Sequence, residues 1–183
     1  VGVYVTDKDD KALLEEVVFD RLYWDKLDAG TITDDEVKES ICSRLPENLR
    51  ESACKVYDNW YRNLPFVEGI PELLRKIKSN GGRLFLLSNI SKGFAENYAT
   101  VPELKELFDM FDGLVFSGTI GTVKPNKEIF DYILSKYNLK SDESVFIDDN
   151  ENNISGAKRA KINGFLFNFD KVKSLEEYCE VIL

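Results

Sequence analysis

Beyond Pro65 the chain alternates four short apolar runs, at residues 83–87, 113–117, 144–147 and 164–168, with longer stretches of helical periodicity. Continuous apolar runs of strand length have no polar face to turn toward water, so they are predicted to be strands covered on both sides. Helical stretches at about 70–79, 92–107, 127–137 and 152–161 separate them and supply that cover. A helix between successive strands makes the sheet parallel, and the chain reads as α/β: a Rossmann-like doubly wound parallel sheet. Residues 9–64 differ in texture, with helical periodicity and no convincing strand. Leu13, Leu14, Val17, Val18, Leu22 and Leu27 predict one helix, stopped by Asp28-Ala29-Gly30. Thr33 and Glu36 have the spacing of a capping box, Pro46 ends the helix they open, and a third helix follows over about 49–63. Two units result: a helical part at 1–65 and an α/β part at 66–183. The aromatic residues Tyr57, Trp60 and Tyr61 read as packing between helices.

Open parallel sheets bind ligands beyond the carboxyl ends of their strands, so the residues just after each apolar run carry the information. They are Ser88-Asn89, then Lys124-Pro125 in the following loop, then Asp148-Asp149. Taken singly, each reads as a cap or a turn. Together they place a hydroxyl, an ammonium and two carboxylates on one rim, an inventory suited to phosphate handled with a divalent metal.

Composition narrows the chemistry. The 183 residues contain no histidine, which removes Ser-His-Asp and Cys-His catalysis and the usual His-containing zinc sites. A net charge of −9 without a basic run makes nucleic acid and anionic membrane surfaces poor partners. Cys42, Cys54 and Cys179 show no CxxC spacing and read as small apolar residues in a reducing cytoplasm. No apolar run approaches the ~20 residues of a membrane span, and the expected location is cytoplasmic.

In this order the motifs resemble those of the haloacid dehalogenase-like (HAD) hydrolases, in the subfamily with a small helical cap. Residues 27–33 are similar to the cap's G-x-I turn, and 66–74 to the helix that re-enters the core. Residues 84–89, 123–125 and 145–150 match the second, third and fourth family motifs. The flavour is that of bacterial sugar-phosphate phosphatases and of the phosphatase domain of soluble epoxide hydrolases. The resemblance implies an α/β core with an inserted α-helical cap and Mg2+-dependent hydrolysis of a small phosphorylated metabolite through an aspartyl-phosphate. It implies that Ser88 and Asn89 hold the phosphate and that Lys124 steadies the nucleophile and the phosphoryl oxygens. Asp149 is implied as the Mg2+ ligand, Asp148 as the group orienting Lys124 or the metal's waters, and Asn153 as loop support. The resemblance is compatible with a monomer or a homodimer.

The family's nucleophile is the first Asp of a DxD after an N-terminal strand, and no segment of this sequence matches it in place. The expectation is that this strand and both aspartates lie upstream of Val1. Asp7 and Asp9 are the alternative pair, but Asp7 precedes Gly30 by only 23 residues, and they fit better as a polar turn and cap ahead of a helix. A module that binds a phosphorylated ligand or a protein partner without catalysis is the alternative function.

Overall fold

The computed structural model describes residues 1–168 and 172–182. Four helices open the chain: α1 (Lys8–Phe19), α2 (Trp24–Asp28), α3 (Asp34–Ser43) and α4 (Glu47–Asn59), the last running into a 3-10 turn at Trp60–Asn63. Asp7 caps α1, its carboxylate accepting from the backbone N–H of Asp9 and Asp10. The single helix predicted across 13–27 is two, because Arg21 adopts a left-handed conformation (φ 62°) between them. Arg44 holds that break by pairing with Asp20 and donating to the Val17 carbonyl. The Thr33–Glu36 capping box forms as expected, with Thr33 Oγ1 accepting from Glu36 N and the Glu36 carboxylate from Thr33 N. Leu14, Val18, Val37, Ile41, Leu49 and Ala53 are buried together in a core of this unit's own.

Helix α5 (Ile70–Ser79) starts the second unit. It is followed by β1 (Phe85–Ser88), α6 (Lys92–Asn97), α7 (Pro102–Phe108), β2 (Gly113–Phe116) and a short α8 (Ser117–Ile120). Then come α9 (Lys127–Lys136), β3 (Val145–Asp148), α10 (Glu151–Arg159), β4 (Asn163–Leu166) and α11 (Val172–Ile182). The helix predicted over 92–107 breaks before Pro102, where proline disfavours helical backbone at Val101 and removes a donor.

All strand pairing is parallel, but among the described residues it falls into two halves, β1 with β2 and β3 with β4. Phe85 pairs with Gly113 and Ser88 with Phe116 in one half; Val145 pairs with Asn163 and Asp148 with Leu166 in the other. Between β1 and β3 lies an apolar slot of about 910 Å³, lined by Phe85, Leu87, Val145 and Ile147 from the strands. Phe130 and Ile133 of α9 and Leu73, Ile77, Leu175 and Cys179 of α5 and α11 complete its walls. Ile147 and Leu166, apolar residues of the second half, are correspondingly exposed. Beside the slot, Leu87, Val115, Ile129, Phe130 and Ala157 form one buried cluster, and Phe94, Leu104, Phe116 and Tyr61 another.

Gly30 joins the two units. It sits at φ 67°, and a Cβ built on it would lie 2.8 Å from the Gly118 carbonyl oxygen, so a side chain there would push the helical unit off the rim. Among the described residues no helix is long and apolar enough to cross a membrane.

Candidate active site

The rim residues are assembled by a chain of contacts that begins at Asn89. Just past β1, its side-chain oxygen accepts from Lys124 N (2.8 Å) and its Nδ2 donates to Lys124 O (2.9 Å). This two-bond clamp fixes the backbone of Lys124, 35 residues later, against the end of β1. The Asn89 side chain is thus engaged within the protein, and what it leaves toward a phosphate is its backbone N–H. Ser88 ends β1 half-buried, and among the described residues no hydrogen bond engages its hydroxyl.

Lys124 Nζ reaches Asp148 Oδ2 at 2.7 Å, with the two side chains only 10% and 7% exposed. The ammonium also stands over the Phe146 ring, 5.4 Å from its centroid. Asp148 Oδ1 accepts from Asn150 N and from Asn153 Nδ2, both at 2.9 Å. Three of the roughly four acceptor sites of the Asp148 carboxylate are therefore occupied, one of them by Lys124. A buried pair of this kind is stable only because these further donors replace the lost water. Asn153 reaches Asp148 from the first turn of α10. Asp149 differs: it is exposed, and among the described residues it has neither ion pair nor hydrogen bond.

Two contributors escape the sequence reading. Ser117 is fully buried, its Oγ accepting from Ile90 N (2.9 Å) and donating to Ile90 O (3.3 Å), which pins the loop after β1 to the end of β2. A polar residue closing the second apolar run was the available signal. Gly156 lets α10 approach the other loop: a Cβ there would lie 2.5 Å from the Pro125 carbonyl oxygen, to which Arg159 also donates (2.8 Å).

From the helical unit, Asp28 at the end of α2 lies within the field of Lys124. Burial, aided by the Asp25 charge, pushes its carboxyl up to about 6, while Arg21 and Lys124 oppose the rise. The folded chain therefore holds a proton on Asp28 between about pH 4 and 6 that the unfolded chain releases, so stability falls as pH rises through this window. Asp28→Asn is expected to remove that slope and to stabilise the fold at pH 7.5 by on the order of 2 kcal/mol. Urea midpoints at pH 5 and 7.5 check it, and an unchanged pH difference in the variant would refute the assignment. Trp24 and Trp60 pack on one another nearby, ring centroids 5.5 Å apart, and Trp60 continues onto Phe94 (5.9 Å) of the second unit. Tyr23 bonds Ser40 within its own unit.

The chain is 24% identical over 141 residues to a sesquiterpene phosphatase of Aspergillus oryzae, covering 77% of this chain and 70% of that one. It is 24% identical over 145 residues to the phosphoglycolate phosphatase of Colwellia psychrerythraea, covering 75% and 63%. A HAD-family enzyme of Bacteroides thetaiotaomicron, crystallised with magnesium and inorganic phosphate, superposes with a TM-score of 0.66 at 17% identity, over 90% of this chain and 88% of that one. The family description that matches residues 22–161 is that of the haloacid dehalogenase-like hydrolases, and the chain belongs to that family.

Proposed function

We propose that the protein hydrolyses the phosphate monoester of a small metabolite with Mg2+, and that it does so in the cytoplasm as a monomer or homodimer. The observation that carries the reading is the buried Lys124–Asp148 pair, presented at the carboxyl rim beside Ser88 and an uncommitted Asp149. The relatives named phosphatases support it.

In this reading the Ser88 hydroxyl and the N–H groups of the loop that follows it bond the phosphoryl oxygens. Lys124 neutralises the charge that spreads over them in the transition state. Asp148, with Asn153 behind it, keeps the ammonium from swinging away. Mg2+ characteristically takes one or two carboxylates, several waters and substrate phosphate oxygens. Among the described residues no group of three candidate ligands is assembled, so Asp149 fits as one ligand of such a site and a second carboxylate has to join it. When bound, the ion adds positive charge opposite the phosphoryl oxygens.

Asp7 is engaged as a helix cap. We therefore assign the attacking carboxylate to an extended segment that fills the slot between β1 and β3 and ends on the rim. Its attack on phosphorus releases the alcohol, and water then cleaves the acyl phosphate to inorganic phosphate. The test is hydrolysis of p-nitrophenyl phosphate by this chain beside a longer product of the same gene that carries residues ahead of Val1. Turnover is expected only in the longer protein, and chelation should stop it. Turnover in the 183-residue chain would move the nucleophile into this sequence. Silence in both, with retained phosphate binding, would favour a non-catalytic module.

A further inference from the structure

The helical unit carries a pair of thiols that the chemistry of the rim does not use. Cys42, on the last turn of α3, and Cys54, on the facing turn of α4, bring their sulfur atoms to 3.5 Å. Both are half-buried and reduced, whereas Cys179 is buried in the other unit against α5. Their helices already form an antiparallel pair packed through Val37, Ile41, Leu49 and Ala53. Their sulfur atoms are already in contact, and a disulfide brings them from 3.5 Å to a bond length of about 2 Å. Tyr57 of α4 donates to Asp34 at the start of α3 (2.9 Å), holding the far end of the same pair.

We infer that Cys42 and Cys54 are a redox modification site, forming an intramolecular disulfide by exchange with a low-molecular-weight disulfide such as oxidised glutathione. Cys42 attacks first: its thiolate sulfur bonds one glutathione sulfur, and the other leaves as glutathione. Cys54 then attacks the Cys42 sulfur, expelling the second glutathione. In all, two protein thiols lose two electrons and two protons, and one glutathione disulfide becomes two glutathione molecules. The order follows from the environment, because burial and the neighbouring Cys42 push the Cys54 thiol up to about 11. Cys54 is a poor nucleophile toward a reagent in solution, and its proximity to the mixed disulfide compensates.

The product closes a short loop between α3 and α4. Asp34, at the start of α3, packs against Gly93 of the second unit, where a Cβ would lie 2.4 Å from its carboxylate, so the cross-linked pair is part of the wall between the two units.

The experiment exposes the full chain to oxidised glutathione under native conditions, then counts thiols and maps peptides without reduction. The expected result is a fall from three reactive thiols, measured in denaturant, to one, with a Cys42–Cys54 peptide and a melting temperature raised by several degrees. C179S should behave alike, while C42S and C54S should stop at a mixed disulfide or unreacted thiols and show no such rise. Retention of all three thiols, pairing that involves Cys179, or cross-links only between chains would overturn the inference.

Discussion

Replacing Lys124 with alanine should lower the turnover of the intact enzyme by at least ~10³-fold and destabilise the fold by about 3–5 kcal/mol. The second effect comes from what is left behind. Asp148, 7% exposed, would keep its bonds to Asn150 and Asn153 but hold an unpaired charge away from water. A cycle with Asp148→Asn separates the two consequences. The double variant should recover much of the stability lost by Lys124→Ala, since no buried charge then lacks a partner, and none of the activity. Asp149→Ala is the contrast: exposed and unbonded, it should alter stability by less than about 0.5 kcal/mol while abolishing Mg2+-dependent turnover. Urea denaturation beside single-turnover hydrolysis reads both quantities. Full activity in Asp149→Ala would remove the metal assignment, and equal stability of Lys124→Ala and the parent would remove the structural role of the pair.

Filling the slot between β1 and β3 should produce the largest change in stability. An extended apolar segment placed there would pair with two open strand edges and bury side chains against Phe130, Ile133, Leu73 and Ile77. Each fully buried aliphatic side chain contributes about 2 kcal/mol, and several together should raise the melting temperature by roughly 10 °C or more. Hydrogen exchange gives the sharper readout, because the amides of Leu87 and Ile147, which point from the facing strands into the slot, should slow by orders of magnitude in a protein whose slot is filled. A longer product in which these amides exchange as fast as in the 183-residue chain would show that nothing occupies the slot. Among the described residues the slot leaves the edges of β1 and β3 unpaired and facing one another, a geometry prone to pairing with other chains.

Much of this architecture was legible because its signals are local. Thr33 and Glu36 announce their helix by spacing alone, and apolar runs as short as 84–87 and 113–116, each set between longer helical stretches, read as strands covered on both faces. The rim followed from the same logic, since topology decides which end of a strand faces a ligand. What stayed hidden depends on tertiary contact. The break at Arg21 is held by Arg44, more than twenty residues away, so periodicity ran straight through it. Asn89 looks like a ligand-binding amide in sequence, and its attachment to the Lys124 backbone becomes visible only once the two loops meet. The division of the sheet into halves was equally invisible, because each apolar run reads the same whether one or both of its edges are paired. Asp28 reads in sequence only as part of a helix stop, because its elevated carboxyl reflects burial and neighbours rather than sequence context.

The enclosed position of Lys124 also bears on how related sequences should be sorted into active and inactive ones. A lysine whose side chain is the partner of the buried Asp148 carboxylate is under pressure to remain even in a descendant that has ceased to hydrolyse anything, because its loss would destabilise the protein. Its presence is therefore poor evidence of turnover. Asp149, which supports no neighbour, is the residue free to drift once catalysis no longer matters, and it is the better marker of a working enzyme.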